Sequence, residues 1–358
     1  MAEPSRRPSV LGRLVLIVLG LLVATAMAEL ALRSVFTIPE VANPLYSFHE
    51  SDPVLGWRGK SNWTARFRRP DFDALVTHGP DGWRRAEPPP PPDPTRRVLF
   101  LGDSFTWGWG VSQGEVFSDK LQSRLAPEVA IYNRGINGFG TSQEYLLLQR
   151  ELDARHYDAV ALMFYLNDVG DNVSSKRGRR PLFELDGDTL VPRNQPPLPL
   201  LNPINRFLKD HSRVFQIVDF EISMLVRSAG DEEEGAPPAG AADVDYRHIN
   251  GAAVTMRLLA EMQRLCTAHG TKFFLVYLPH TSEIAGDVSS DPYVRAVHDL
   301  VRDVAAQEHI PVIDLGPVFR ERVQQGEALV FTHDEHWTPA GHEAAAAALL
   351  ASPLFRTP

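Results

Sequence analysis

The chain has 358 residues, 44% of them apolar, enough to bury one large core and carry extensions besides. Its formal charge of -9 argues against a nucleic-acid partner, for which a basic face is the expected footprint. The single cysteine, Cys266, excludes an intramolecular disulfide, and its place after Leu265 in a helical pattern reads as a buried structural thiol rather than a nucleophile.

At the amino terminus Arg6, Arg7 and Arg13 precede an uninterrupted apolar run over 14–23 that continues through small residues to Ala28. This is a targeting or anchoring segment. Residues 14–28 are short for a full span, and Ala26-Met27-Ala28 before Glu29 resembles a signal-peptidase site. Against cleavage, Leu30, Ala31, Leu32 and Val35 carry the helical apolar face on toward membrane thickness. Residues 1–36 are therefore read as a membrane-anchoring segment with its basic end in the cytoplasm, with cleavage near Ala28 and secretion as the alternative. Both readings export the remainder.

Residues 37–95 scatter aromatics among turn formers (Pro53, Gly56, Trp57, Gly59, Gly79, Pro80, Gly82, Trp83) without long periodicity, which predicts an irregular lead-in packed on the main domain. It ends in prolines at 88–92 and 94, an extended and stiff linker. Short apolar runs then alternate with helical patterns: strand 98–101, helix near 114–126, strand 129–132, helix near 141–155, strand 159–166. Over about 168–246 the rhythm breaks, with Pro196, Pro197, Pro199 and Pro203, an amphipathic stretch near 204–227, and an acidic Gly/Pro/Ala-rich segment at 230–243. This predicts an insertion whose last part is a mobile loop. The basic cluster at 176–180 reads as a solvated loop. The alternation resumes with helix 248–269, strand 272–278, helix 291–308, strand 311–315 and a closing helix over 339–350. Together these predict one domain over 96–353: an α/β fold with a three-layer α/β/α parallel sheet, flavodoxin-like, its helices covering both faces.

The first strand stops at Gly102-Asp103-Ser104 and gives way to a Gly-rich, aromatic loop. A serine there lies at the carboxyl edge of the sheet, where α/β proteins place their ligands, and the small Gly102 lets the backbone turn sharply. The plain alternative is that Ser104 caps the next helix. Near the carboxyl terminus, between the last strand and the last helix, stands Thr332-His333-Asp334-Glu335-His336-Trp337-Thr338-Pro339. A serine hydroxyl is a poor nucleophile until an imidazole takes its proton, and that imidazole works best when a carboxylate holds its other nitrogen protonated. Asp334 and His336, two apart on one loop, suit those roles. His333 has no carboxylate in the five residues before it and ranks below His336 as a base, while His342 reads as a packing residue. Two histidines and two acids also suggest metal ligation, but the spacing is not that of a helical H-E-x-x-H pair and no second Cys/His cluster completes a site. No metal or other cofactor is expected.

Two more elements follow successive strands. The loop 133–141 is rich in glycine and opens a helix, so its backbone can approach a substrate and donate N–H groups. Asn167 follows strand 159–166 and offers a side-chain amide, although Gly-rich turns and an Asn at a strand end are each common turn chemistry.

The four stations, Gly-Asp-Ser, glycine, asparagine and a carboxy-terminal Asp/His pair, resemble the SGNH (GDSL-type) hydrolase family over about residues 97–350, the insertion excepted. The resemblance implies Ser104 as nucleophile, His336 as base oriented by Asp334, and an oxyanion hole of the Ser104 and Gly138 backbone N–H groups with the Asn167 amide. The last block departs from the usual D-x-x-H; its D-x-H followed by Trp337 is similar to SGNH-like proteins of bacterial polysaccharide O-acetylation and deacetylation. That similarity implies an exported, membrane-anchored serine esterase or O-acyltransferase on the periplasmic side of a bacterial inner membrane, acting on acylated carbohydrate or another ester. Trp107, Trp109 and Phe139 are candidates to stack on sugar or line an acyl pocket, or else to pack the lead-in; His280 is a candidate at the site edge, or a solvated loop residue. A lipase or lysophospholipase is the second enzymatic reading, and a non-catalytic binding subunit of a surface-polymer assembly the reading from another class.

Overall fold

The computed structural model describes residues 9–35, 38–41, 47–174, 180–193, 204, 207–208, 211–228, 244–286 and 291–355. Among the described residues twelve strands are formed: β1 (Glu40–Val41), β2 (His49–Asp52), β3 (Gly56–Gly59), β4 (Thr64–Arg69), β5 (Phe72–Thr77), β6 (Arg96–Gly102), β7 (Val129–Asn133), β8 (Ala159–Phe164), β9 (Leu182–Asp186), β10 (Thr189–Arg193), β11 (Lys272–Tyr277) and β12 (Val312–Asp314). Five of them make the main sheet, in the order β12-β11-β8-β6-β7, with every neighbouring pair parallel.

Parallel strands buried on both faces should read as continuous apolar runs, and β8 does so, with all six residues buried. Successive side chains alternate between two cores. Leu99, Leu101, Val160, Leu162 and Phe164 enter one, with Leu147, Leu259 and Leu300 from the helices Thr141–Ala154, Ala252–Ala268 and Pro292–Gln307. Val98, Phe100, Ala159, Ala161 and Met163 enter the other, with Leu121, Phe319 and Leu349 from Phe117–Leu125, Gly316–Gln324 and Pro339–Ala351. The result is the expected three-layer sandwich. From β6 the chain steps outward to β7 and then returns to the other side of β6 for β8, so the winding reverses between β6 and β8. The crevice at the carboxyl ends of those strands is where such sheets bind ligands.

The lead-in is not irregular. β1 runs parallel to β4, and β4 pairs antiparallel with β5, while β2 and β3 form a separate antiparallel pair. In β4 and β5, Ala65, Phe67, Phe72, Ala74 and Val76 turn inward and form a third core with Phe48, Trp107 and Trp109. The strands are short, and their inward residues are separated by Arg66, Asp73 and the exposed Leu75, so a search for long periodicity passes over them.

Within the inserted segment, β9 and β10 form an antiparallel pair and Arg213–Ser228 is helical. The loop expected at 230–243 lies outside the described residues. The amino-terminal helix, Val10–Val35, has no buried residue and is long and apolar enough to cross a membrane. Its Glu29 carboxylate accepts the Arg213 and Val214 N–H groups at 2.9 and 3.1 Å and so caps the helix Arg213–Ser228.

Candidate active site

The buried strand β6 delivers Ser104 to the crevice. An added Cβ at Gly102 would lie 2.1 Å from Thr106 Oγ1 and 3.0 Å from Met163 Cβ, so only glycine permits this close turn. Ser104 does not cap the following short helix, Ser104–Trp107; Asp103 does, accepting the Phe105 N–H at 2.9 Å. The serine hydroxyl thereby remains available to other partners.

His336 Nε2 lies 2.7 Å from Ser104 Oγ, a contact between residues 232 positions apart. On the opposite side of the ring, His336 Nδ1 pairs with Asp334 Oδ1, which also accepts the His336 backbone N–H at 3.0 Å. That turn is the consequence of the two-residue spacing. Interaction with His336 holds the Asp334 carboxyl well below the usual range despite its burial, so it is an anion at neutral pH. The imidazole lies between two aromatic rings: Phe105, with centroids 4.6 Å apart, and Trp109, 4.8 Å away and inclined by 19°. Both tilt and reach of the ring are therefore constrained by packing. Trp109 also donates from Nε1 to the second Asp334 oxygen, Oδ2, at 2.9 Å.

The remaining predicted residues divide. The loop after β7 brings Gly138 into left-handed backbone, φ +76°, just before the helix Thr141–Ala154, and its carbonyl accepts Arg180 Nη2 at 2.8 Å. Asn167 opens the helix Asn167–Asp171 after β8, and its amide approaches Asp171 Oδ2 at 3.4 Å. Both stand at the ends of the strands flanking the crevice. Of the proposed substrate contacts, Trp107 and Phe139 are 1% and 0% exposed. Trp107 donates to His78 Nε2 at 3.1 Å, and Phe139 packs edge-on against Trp57. Trp109 is buried as well and holds Asp334. None of the three is exposed as a sugar platform, because the lead-in core takes in Trp107 and Trp109 and one core of the main sheet takes in Phe139. His280 caps the short helix Thr281–Ile284, and its Nε2 lies 3.9 Å from Glu335, next to His336 in the chain. It is a rim residue. His333 pairs with Asp71 at the surface, and His342 is buried against Phe117, so both are engaged away from Ser104.

Sequence reasoning missed two kinds of residue. Arg180, read as part of a solvated basic loop, is 2% exposed and ties Gly138, Gln143 and Asp171 together. Near Ser104, burial raises three carboxyl groups, Asp103 to about 6 and Glu144 and Asp168 well above the carboxylate range, with Asp171 adding to each, Asp103 adding to the latter two and Glu144 to Asp168. Glu144 has neither oxygen hydrogen-bonded. Burial without a partner therefore favours its neutral form.

The described chain is similar to solved structures at low identity. A lipolytic protein of the G-D-S-L family from Veillonella parvula is 16% identical with a TM-score of 0.42, over 73% of this chain and 100% of that one. An acetyl xylan esterase is 14% identical at 0.43, over 71% and 98%. An acetyl-xylooligosaccharide esterase from Geobacillus is 14% identical at 0.42, over 74% and 98%. No curated protein sequence matches. The model of the GDSL-like lipase/acylhydrolase family matches residues 100–344, which span the Ser104 loop, both glycine and asparagine stations and the Asp334/His336 loop, and the chain belongs to that family.

Proposed function

We propose that the protein is a serine esterase or O-acyltransferase that works through an acyl-enzyme on Ser104. One observation carries the reading: the hydrogen-bonded series Ser104, His336, Asp334 at the switch point of the sheet. In the proposed mechanism Ser104 Oγ attacks the ester carbonyl while His336 Nε2 takes its proton. Asp334 stabilises the imidazolium. The tetrahedral oxyanion is met by the backbone N–H groups of Ser104 and Gly138 and by the Asn167 amide, donors worth a few kcal/mol each where water is excluded, of the order of about 3. Collapse expels the alcohol, which takes the proton from His336. Water, or a sugar hydroxyl, then gives its proton to His336 and attacks the acyl carbonyl; collapse of this second tetrahedral intermediate breaks the bond to Ser104 Oγ, which recovers the proton from His336, and the acceptor decides between hydrolysis and transfer.

The acyl group is proposed to be short, acetate on a carbohydrate. Trp107, Trp109 and Phe139 are committed to packing, which removes the three aromatics that a long acyl channel would have used. The amino-terminal helix Val10–Val35, at about 1.5 Å per residue, is longer than the roughly 30 Å hydrocarbon core of a bilayer. It is proposed to hold the domain at the periplasmic face of a bacterial inner membrane, where exported polysaccharide is within reach.

The test is cleavage of p-nitrophenyl esters of rising chain length by wild type, Ser104→Ala and His336→Ala. Cleavage that favours acetate and disappears in both variants is expected. Preference for long chains would replace the glycan reading with a lipase, and turnover that survives in Ser104→Ala would remove the acyl-enzyme altogether.

A further inference from the structure

The turn between β4 and β5 reaches across the molecule to the catalytic loop. Arg69, the last residue of β4, places its guanidinium 4.6 Å from the centroid of the Trp109 ring and Nη1 3.9 Å from Asp334 Oδ2, with both ends of that pair little exposed. Two positions on, Asp71 accepts the His333 backbone N–H through Oδ2 at 2.7 Å and pairs with the His333 ring through Oδ1 at 2.7 Å. Phe72 then packs on Phe331, centroids 5.1 Å apart. The fit is close: a Cβ on Gly110, itself at φ +77°, would come within 2.6 Å of Phe331 and 2.9 Å of Phe72. Three consecutive contacts thus grip residues 331–334, immediately before His336. All come from residues outside the stretch 100–344 that the family model matches.

We propose that Arg69 is a positioning residue of the active site, acting through Trp109 and Asp334 to hold the His336 imidazole, with Asp71 clamping the same loop from outside. The proposal rests on the reading of Ser104, His336 and Asp334 as the reacting series. Its physical basis is electrostatic as well as steric. Among the described residues, Asp334 Oδ2 receives a hydrogen bond from Trp109 and faces the Arg69 cation, so the carboxylate is held by that side while Oδ1 serves His336. A planar guanidinium can lie on the indole and still address the carboxylate. The other charged or titratable groups facing the His336 ring are Asp103 below the nucleophile and His342 on the last helix, and Glu335 and His333 flank it on the loop. Arg69 is the cation on Asp334's open side.

The test uses the full chain in detergent, with Arg69→Gln, Arg69→Lys and Asp71→Asn. For Arg69→Gln, kcat/KM on p-nitrophenyl acetate should fall roughly ten- to hundredfold, the cost of a small displacement of a reacting group, mainly through kcat. Loss of the positive charge should also move the acid-side midpoint of the kcat/KM profile to higher pH. Arg69→Lys should restore the midpoint while recovering only part of the rate, and Asp71→Asn should lower kcat without moving the midpoint. A readout free of turnover comes from the low-field proton resonance of the His336–Asp334 hydrogen bond in the Ser104→Ala background. Adding Arg69→Gln should shift or broaden it, and Arg69→Lys should return it. An unchanged resonance and an unmoved midpoint in Arg69→Gln, whatever the rate, would overturn the proposal and leave Arg69 a packing residue. Absence of the resonance before any Arg69 change, or turnover that persists in Ser104→Ala, would instead overturn the reacting series, and this proposal with it.

Discussion

The indole N–H of Trp109 lies 2.9 Å from Asp334 Oδ2, joining the nucleophile loop to the carboxy-terminal loop across 225 residues. The same ring stacks on His336, so one side chain orients both the carboxylate and the imidazole. Trp109→Phe retains a ring to stack and removes only the donor. A hydrogen bond to a charged acceptor contributes about 1.5–3 kcal/mol, so kcat/KM is expected to fall roughly ten- to hundredfold. Steady-state kinetics beside a circular-dichroism spectrum check this; an unchanged rate in a folded variant would show that stacking alone positions His336.

Asp334→Asn should be far more damaging. The amide preserves the shape but can present its N–H₂ to His336 Nδ1, favouring the tautomer whose Nε2 carries the proton and cannot accept one from Ser104. The loss expected in kcat is about a thousandfold or more, by analogy with other serine triads. A decrease under tenfold would mean that Asp334 does not set the tautomer.

Glu144 makes a stability prediction with a definite sign. Burial raises its folded pKa, and Asp103 and Asp171 raise it further. Above the ordinary glutamate value of about 4.3 the unfolded chain releases this proton while the folded protein keeps it, so stability declines as pH rises toward the folded value. Glu144→Gln removes that contribution and keeps the volume. Its Tm should decline less than that of wild type between pH 5 and 8, with Asp168 sustaining the remaining slope; parallel profiles for the two proteins would contradict an uncharged Glu144.

His78 gives the opposite slope. Its Nε2 accepts Trp107 Nε1 at 3.1 Å, its Nδ1 faces the Lys60 carbonyl at 3.3 Å, and burial holds its pKa well below the usual histidine value. As pH falls through about 6.5 the unfolded chain binds a proton that the folded ring refuses, and stability is lost on the acid side. Thermal melts from pH 7 to 5 should fall less steeply in His78→Gln than in wild type, whatever the variant's absolute Tm. Equal slopes would assign the acid loss elsewhere, and buried His342 is the next group to test.

What was legible in the sequence was local. The apolar runs of β6, β8 and β11 identified a parallel sheet because strands buried on both faces have no polar side to interrupt them. Ser104 could be named because a strand end and a small Gly102 adjoin it. Asp334 and His336 could be paired because two residues of one loop bring carboxylate and ring together. Tertiary structure decided the rest. The lead-in strands carry at most three inward side chains each, too few for a periodic signal, and they become a sheet by covering Trp107 and Trp109. Trp109 then changes from a substrate platform into a ligand of Asp334, and Arg180 from a solvated charge into a buried tie under Gly138. Arg69 comes to lie against Asp334 by the same means. These roles depend on partners scores to hundreds of positions away, or on a burial that no neighbouring residue announces, and only the packed chain specifies them.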